Sequence, residues 1–577
     1  MLIHIHIEKA LQAALKSVLP DADTTAVLIR PCPDPTFGDY QSNALIALAK
    51  QRKLNPRQLA GDVLAKLDVG STCEKVELAG AGFLNFRLRH SAVETALSEA
   101  LRGEHLFFEK TTTPRTIVVD FSSPNVAKPM HVGHIRSTIL GDSLARTFRL
   151  LGHQVITDNH IGDWGTQFGK LLVGWKRHLD KAALATDPIG EMERLYKLVN
   201  VASEADPKVL EEARQQLVKL QGGDPENLEI WREMIALSQV QFDTVYARLD
   251  VRFDHTLGES FYNPRLQALV LDLKQKGLAR ESEGAIAVFF ESIPQLSKHP
   301  ALIQKSDGAF NYTTTDLATL QHRLESWHPN DIIYVTDARQ QLHFQQLFAI
   351  FQRWHPEAQI KLAHVWFGSI LGEDGKPFKT RSGETVKLAD LLDEAEIRAF
   401  DLVSCLNAEL PEAERKEIAR VVGLGAIKYA DLLPNRQSDY VFSWDKMLAL
   451  NGNSAPYLQY AYARTRSVFR KASESGADSG LSQLTRLSLS ASEEIELAKL
   501  LLNFGFALER ASEEYRPNFI CNYLYDLAGR FARFWENCPV LKAEAEQRAS
   551  RLALCDVTGR VLKQGLKVLG IEVLERM

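Results

Sequence analysis

The sequence predicts a multidomain α/β protein: a doubly wound parallel sheet with a helical insertion, a small α+β domain before it and an α-helical bundle after it. Three observations predict this. The chain has 577 residues, too many for one core, and roughly 150 residues per domain implies three to five units. A β-branched run, a helical repeat and a second β-branched run follow one another between Thr116 and Asp158; that order over about 40 residues is a βαβ unit, which requires parallel strands. From about Pro456 onward the apolar residues recur at helical spacing over long stretches, the pattern of a helix bundle.

The first hundred or so residues mix helical patterns with short strands. In MLIHIHIEKALQAALKSVLP, acidic Glu8 and the spacing of Leu11, Leu15 and Val18 fit a mature amphipathic helix rather than a signal peptide. KVELAGAGFLNFRL, Lys75 to Leu88, alternates and carries Gly80 and Gly82, so it predicts strands at a sheet edge. The turn-prone EKTTTPR, Glu109 to Arg115, sets the first boundary. TIVVDF, Thr116 to Phe121, then predicts the first parallel strand; Ile135, Ile139, Leu140, Leu144, Phe148 and Leu151 mark its crossover helix, with Gly152 at the C-cap; QVITD, Gln154 to Asp158, predicts the second strand. From roughly Gly174 to Arg280 the pattern is helical and charged, an insertion. GAIAVFF (Gly284 to Phe290), DIIYVTD (Asp331 to Asp337) and KLAHVWFGSI (Lys361 to Ile370) predict the second half of the same sheet.

Composition excludes several classes. With 45% hydrophobic and 24% charged residues and a net charge of -5, the chain is an ordinary globular protein and not a general polyanion binder, although one basic face is compatible with these totals. Six cysteines without a CxxC pair fit reduced thiols rather than a zinc ribbon or disulfide framework. No apolar run approaches the roughly 18 to 20 residues that span a bilayer, so a cytoplasmic protein is expected.

The chemistry concentrates in FSSPNVAKPMHVGHIRSTILG, Phe121 to Gly141, where His131 and His134 flank Gly133. As a metal site the pair lacks a third ligand at suitable spacing. As plain structure, it is two histidines satisfied at a helix start. Four features favour an anion instead. The pair lies at the carboxyl end of a strand, where open parallel sheets bind ligands; the helix start offers free N–H groups and a positive dipole end; Gly133 lets a ligand approach the backbone; and Lys128 adds a point charge. Far downstream, GEDGKPFKTRSGE (Gly372 to Glu384) spreads Lys376, Lys379 and Arg381 along a glycine-flanked loop. Alone it reads as a solvated turn; beside the histidines it reads as a polyphosphate clamp.

HVGH and this basic loop resemble the HIGH and KMSKS signatures of class I aminoacyl-tRNA synthetases. The stretches SPNVAKPMHVGHIRST, NHIGDWGTQFGK, KTRSGETVKLADLLDEA and GNSAPYLQYAYARTRSV resemble the arginyl-tRNA synthetases in particular, over the whole chain from FGDYQSN (Phe37 to Asn43) to the terminal VLGIEVLERM. The resemblance implies an N-terminal tRNA-contacting domain over 1–110 and a Rossmann-type catalytic domain over 111–370 with its α-rich insertion at about 175–280. It further implies a KMSKS-like loop and stem-contact region over 371–450 and an anticodon-binding bundle over 451–577. Thr380 stands where the KMSKS pattern has its second lysine, and Lys128 stands where a lysine upstream of HIGH would compensate.

The resemblance also implies the chemistry: attachment of L-arginine to tRNA(Arg) through an adenylate, with ATP and Mg²⁺, and with no metal held permanently by the protein. His131 and His134 would hydrogen-bond the triphosphate, Gly133 would admit the nucleotide, and Lys128, Lys379 and Arg381 would hold the pyrophosphate. His343 and Phe378 would line the ATP site. Asp120, Tyr312 and Asp316 would take the guanidinium, a planar cation that needs carboxylates in its plane; Asn125, Gln340 and His134 would face the α-amino and α-carboxylate end. Singly, Tyr312 also fits core packing and Asp316 a helix cap. Tyr457, Tyr460, Arg464 and Arg466 interleave aromatics and cations, a combination that suits unpaired bases and equally a helix with an aromatic core face. Phe37 and Asn85 belong to the N-terminal contact stretches. A related nucleotidyltransferase and a non-catalytic RNA-binding paralogue are the competing readings; the retained histidines and basic loop argue against the latter. A monomer is implied.

Overall fold

The computed structural model describes residues 2–379, 385–474 and 487–577. It divides into two compact units, Thr111–Leu448 and a second formed by Met1–Lys110 with Ala449–Met577. In the first unit five strands form one parallel sheet: β1 Thr116–Asp120, β2 Gln154–Asn159, β3 His255–Thr256, β4 Asp331–Tyr334 and β5 Lys361–His364. Their order is β5-β4-β1-β2-β3, every neighbouring pair parallel. Ile117, Val118 and Val119 of β1 are fully buried, as a central strand covered on both faces requires.

Helix α1, Val132–Leu150, returns the chain from β1 to β2. It packs so closely that a Cβ on Gly141 would come within 2.2 Å of Phe121. After β1 the chain builds β2 and β3 on one side and later lays β4 and β5 on the other. The loops at the carboxyl ends of β1 and β4 therefore part and open a crevice at this switch point.

The insertion runs through helices Lys181–Thr186, Pro188–Ala205, Pro207–Gln221 and Pro225–Arg248. The last three start alike: Asp187, Asp206 and Asp224 accept backbone N–H bonds as N-caps, with proline at the first helical position. One expectation fails here. GAIAVFF does not join the parallel sheet; Ala285–Val288 pairs antiparallel with Ala279–Ser282 and Ala301–Gln304 in a separate three-stranded sheet. The reason is local: Glu283 and Gly284 take φ of 52° and 79°, a two-residue hairpin connection that closes the strand onto its sequence neighbour. KLAHVWFGSI likewise splits, with only Lys361–His364 in the parallel sheet and Ile370–Leu371 pairing with Tyr440–Val441.

In the second unit, Arg30–Pro31, Tyr40–Ser42, Phe83–Leu88 and Cys73–Ala79 form a four-stranded antiparallel sheet in that order. Cys73–Ala79 is its edge and Phe83–Leu88 lies inside. Helices Ala455–Glu474, Ser492–Leu501, Phe504–Glu513, Asn518–Asn537 and Ala545–Val568 form the bundle. Lys499 reaches Asp39 at 2.9 Å, and His4 packs on Phe506 with ring centroids 4.4 Å apart, tying the small sheet to the helices. Among the described residues no helix is long and apolar enough to cross a membrane.

Candidate active site

His131 is the N-cap of α1, and the two histidines form a reciprocal capping box. Nδ1 of His131 accepts from the Gly133 N–H at 3.1 Å, and Nδ1 of His134 accepts from the His131 N–H at 3.1 Å. A backbone N–H can only donate, so each neutral ring carries its proton on Nε2. Burial lowers the pKa of His131, with the charges of Arg339 and Lys128 adding; burial takes His134 down to about 3, with His131 adding. The pair thus presents neutral Nε2–H donors beside the helix N-terminus. Gly133 is required first by this cap, because a Cβ there would lie 2.9 Å from His131 Cε1.

The loop between β1 and α1 is strained. Ser122, Ser123 and Ala127 take φ of 73°, 48° and 60°, a conformation that costs about 1–3 kcal/mol per non-glycine residue. Pairing holds its middle: Val126 donates to Gly162 O and Gly162 to Pro124 O, both at 3.0 Å. A Cβ on Gly162 would strike Asn125 Oδ1 at 2.2 Å, so the NHIGDWG stretch lies directly against SPN. Asn125 itself is exposed.

On the other lip of the crevice, His343 Nε2 donates to Asp316 Oδ2 at 2.5 Å, and His160 Nε2 stands 3.8 Å from Asp316 Oδ1. Tyr312 packs edge-on against His343, centroids 4.8 Å apart, and is 58% exposed. His343 and Asp316, expected in the ATP and arginine sites respectively, are therefore direct partners. Burial pushes the Asp316 carboxyl up, but the His343 bond and the charges of His343, His160 and Arg323 outweigh it, leaving its pKa below the ordinary value. Gln340 ends the short helix Ala338–Gln340 after β4 and is exposed.

Asp120, expected at the guanidinium, is ion-paired within the protein. It is 3% exposed and its Oδ2 accepts from Arg323 at 2.6 Å; Asp158 Oδ2 accepts from the same nitrogen at 2.7 Å. A buried guanidinium thus bridges the carboxylates at the ends of β1 and β2.

Sequence reading missed Glu259. It begins the helix Glu259–Gln275, and its N–H donates to Ile161 O at 3.2 Å. Its neighbour Ser260 donates through N and Oγ to Asp163 at 2.8 and 2.6 Å. Burial raises the Glu259 carboxyl to about 7; His160 opposes the rise and Asp316 and Asp163 add to it. No short motif marks this residue, because GES is an ordinary helix start.

The basic loop is anchored at both ends. Val132 donates to Val386 O and Leu388 to Met130 O, both at 2.9 Å, so its downstream end pairs with the histidine segment. Upstream, Phe378 donates to Ile370 O at 3.0 Å and stacks on Phe442 at 4.5 Å, while Lys379 bridges Thr385. Lys379 is exposed; Thr380 and Arg381 lie outside the described residues. Lys128 Nζ lies 5.4 Å over the Tyr196 ring of the insertion.

In the second unit the residues expected on RNA divide. Phe37 is 58% exposed, but Asn85 is 6% exposed inside the sheet, paired in register with Gln41 and Glu77. The side-chain Oδ1 of Asn85 is buried without a hydrogen-bond partner among the described residues. Tyr460 is 42% exposed and Arg464 donates to its hydroxyl at 3.0 Å, with the guanidinium over the ring. Tyr457 is half-buried beside Tyr525, and Arg466 is held by Asp556 at 3.1 Å.

Comparison with known proteins bears on this site. Residues 96–444 match the family model "tRNA synthetases class I (R), catalytic domain", residues 458–577 the "DALR anticodon binding domain" and residues 5–88 the "Arginyl tRNA synthetase N terminal domain". An arginine--tRNA ligase of Chromobacterium violaceum is 44% identical over 584 residues, covering 100% of both chains; one from Proteus mirabilis is 45% identical over 585 residues, again 100% of both. The solved arginyl-tRNA synthetase of Plasmodium falciparum superposes with a TM-score of 0.84 at 30% identity, covering 100% of this chain and 99% of that one. With the class I (R) catalytic model matched over more than half of the chain and full-length relatives 44% and 45% identical, this chain is a class I arginyl-tRNA synthetase family member.

Proposed function

We infer that the chain attaches L-arginine to tRNA(Arg) at the expense of ATP, releasing AMP and diphosphate through an arginyl-adenylate. In the first step the arginine carboxylate attacks the α-phosphate, and negative charge grows on the phosphate oxygens as the bond to diphosphate breaks. His131 and His134 donate from Nε2 to those oxygens, and neutral donors need no proton transfer to do so. Lys128 and Lys379, with Arg381, hold the departing diphosphate; Mg²⁺, arriving with ATP, supplies charge there. Asp316 and Glu259 take the guanidinium beside Tyr312, and Asn125 and Gln340 face the α-amino and α-carboxylate groups. In the second step the arginyl group passes to the terminal adenosine of tRNA. Tyr457, Tyr460 and Arg464 of the bundle and Phe37 of the small sheet are the proposed RNA contacts. On the same reading the chain works as a monomer in the cytoplasm.

The observation that carries this reading is the pairing of two neutral ring donors on one lip of the crevice with a carboxylate cluster on the other. Incubation with ATP, Mg²⁺, total tRNA and each amino acid in turn tests it. Charging is expected with arginine alone; charging with another amino acid overturns the substrate, and none at all favours a binding paralogue.

Glu259 gives the site a pH dependence. With a carboxyl near 7, it is ionised at pH 8 and protonated at pH 6, so its attraction for a cation is lost as pH falls. The arginine KM is expected to rise roughly tenfold from pH 8 to pH 6, one pH unit below the pKa carrying about a factor of ten. Glu259→Gln should have a higher KM at pH 8 and a flat profile, measured by steady-state charging; an unchanged slope removes Glu259 from the site.

A further inference from the structure

The helix Pro225–Arg248 of the insertion touches both ends of the strained loop that precedes the histidine pair. At one end, the Tyr246 hydroxyl lies 2.7 Å from Ser122 Oγ and accepts from Asn159 Nδ2 at 3.1 Å. Thr138 Oγ1 lies 2.8 Å both from Ser122 Oγ and from the carbonyl oxygen of His134, closing a buried chain from the insertion to the second histidine. At the other end, Ser238 Oγ accepts from the Ala127 N–H at 3.0 Å. Ser238 and Tyr246 stand about two turns apart, on one face of the helix.

The two positions gripped are Ser122 and Ala127, both at positive φ. A conformation of that kind persists only where its surroundings over-determine it. The same helix ends at Arg248, which pairs with Asp393 and Glu396 at 2.8 Å each. Those carboxylates lie on Leu388–Leu406, the helix that follows the basic loop. One helix therefore contacts both the loop that precedes the histidines and the helix Leu388–Leu406.

We propose that the helix Pro225–Arg248 is a splint that holds the loop before the histidines in register with the helix Leu388–Leu406, with Tyr246 as its positioning residue. Tyr246 touches no substrate; it acts through Ser122, Thr138 and the start of α1. The inference rests on the adenylating role proposed for the histidines, and its test separates the two.

The test uses the full-length chain and arginine charging of tRNA. Tyr246→Phe keeps the ring and removes only the hydroxyl. The expected result is a fall in kcat of about tenfold to a hundredfold, the scale of a displacement of about 1 Å in a positioned site, with the KM values for ATP and arginine within about threefold of wild type. Ser122→Ala should give the same loss, and the double variant no more than either, because both act on one link. Ser238→Ala, at the other grip, should lower kcat independently and multiply with Tyr246→Phe. Losses that multiply between Tyr246 and Ser122, a kcat within twofold of wild type, or a lowered Tm with kcat unchanged would each overturn the splint. Failure of the adenylating role itself would show instead as His131 and His134 variants with normal kcat. Should Tyr246→Phe not fold, Ser122→Ala and Ser238→Ala alone decide the matter by the same kcat criterion.

Discussion

His134→Ala is expected to lower the rate of arginyl-tRNA formation about 10²- to 10³-fold, ~2.7–4 kcal/mol, the loss seen when one preorganised donor to a developing oxyanion is removed. The protein should still fold. The variant loses one capping bond, to the His131 N–H, worth about 1 kcal/mol and so a few degrees in Tm. The fall should appear in kcat more than in KM, since the donor acts where charge develops. The ring's lowered pKa, about 3, adds a second check. His134 is neutral throughout the working range, so the pH profile of kcat between 6 and 9 should keep its wild-type shape in the variant at a lower level. Loss of one limb of that profile would make His134 a proton-transfer group, and an unchanged rate would remove it from the mechanism.

How far the sequence reaches is clear from this segment and its neighbours. The βαβ unit was legible because β1, α1 and β2 each carry an unmixed period, and the histidine pair was legible as an anion site because local chain direction alone puts it at a strand's carboxyl end. The tautomer was not, since it depends on two backbone bonds. Arg323 was invisible for a different reason. In QHRLES it reads as the solvated face of a helix, and its meaning comes from Asp120 and Asp158, far away along the chain. GAIAVFF misled because four residues of apolar alternation say nothing about which sheet receives them; a left-handed pair at Glu283 and Gly284 decided it. Residues with local reasons were readable, and those whose reasons lie across the fold were not.

The different surroundings of Asp120 and Asp316 make the second large prediction. Asp316→Asn is expected to raise the arginine KM at least about thirtyfold, 2 kcal/mol or more, the cost of truncating one partner of a desolvated charge pair. The ATP KM should change by less than about threefold. Asn keeps the side-chain volume and a carbonyl acceptor for His343, so the loss isolates the charge. Asp316 is suited to this task because its carboxyl is held below its ordinary pKa while its side chain remains 22% exposed. Asp120 differs: its side chain is 5% exposed, and its charge is already met by Arg323. Asp120→Asn should accordingly act on stability, by unbalancing a buried ion pair, with a smaller change in arginine KM than Asp316→Asn. The two variants measured side by side, by arginine KM and by Tm, distinguish a carboxylate that meets the substrate from one that holds the strands. A larger KM effect at Asp120 would mean that Arg323 yields its partner when arginine enters, and that the buried pair is itself the recognition element.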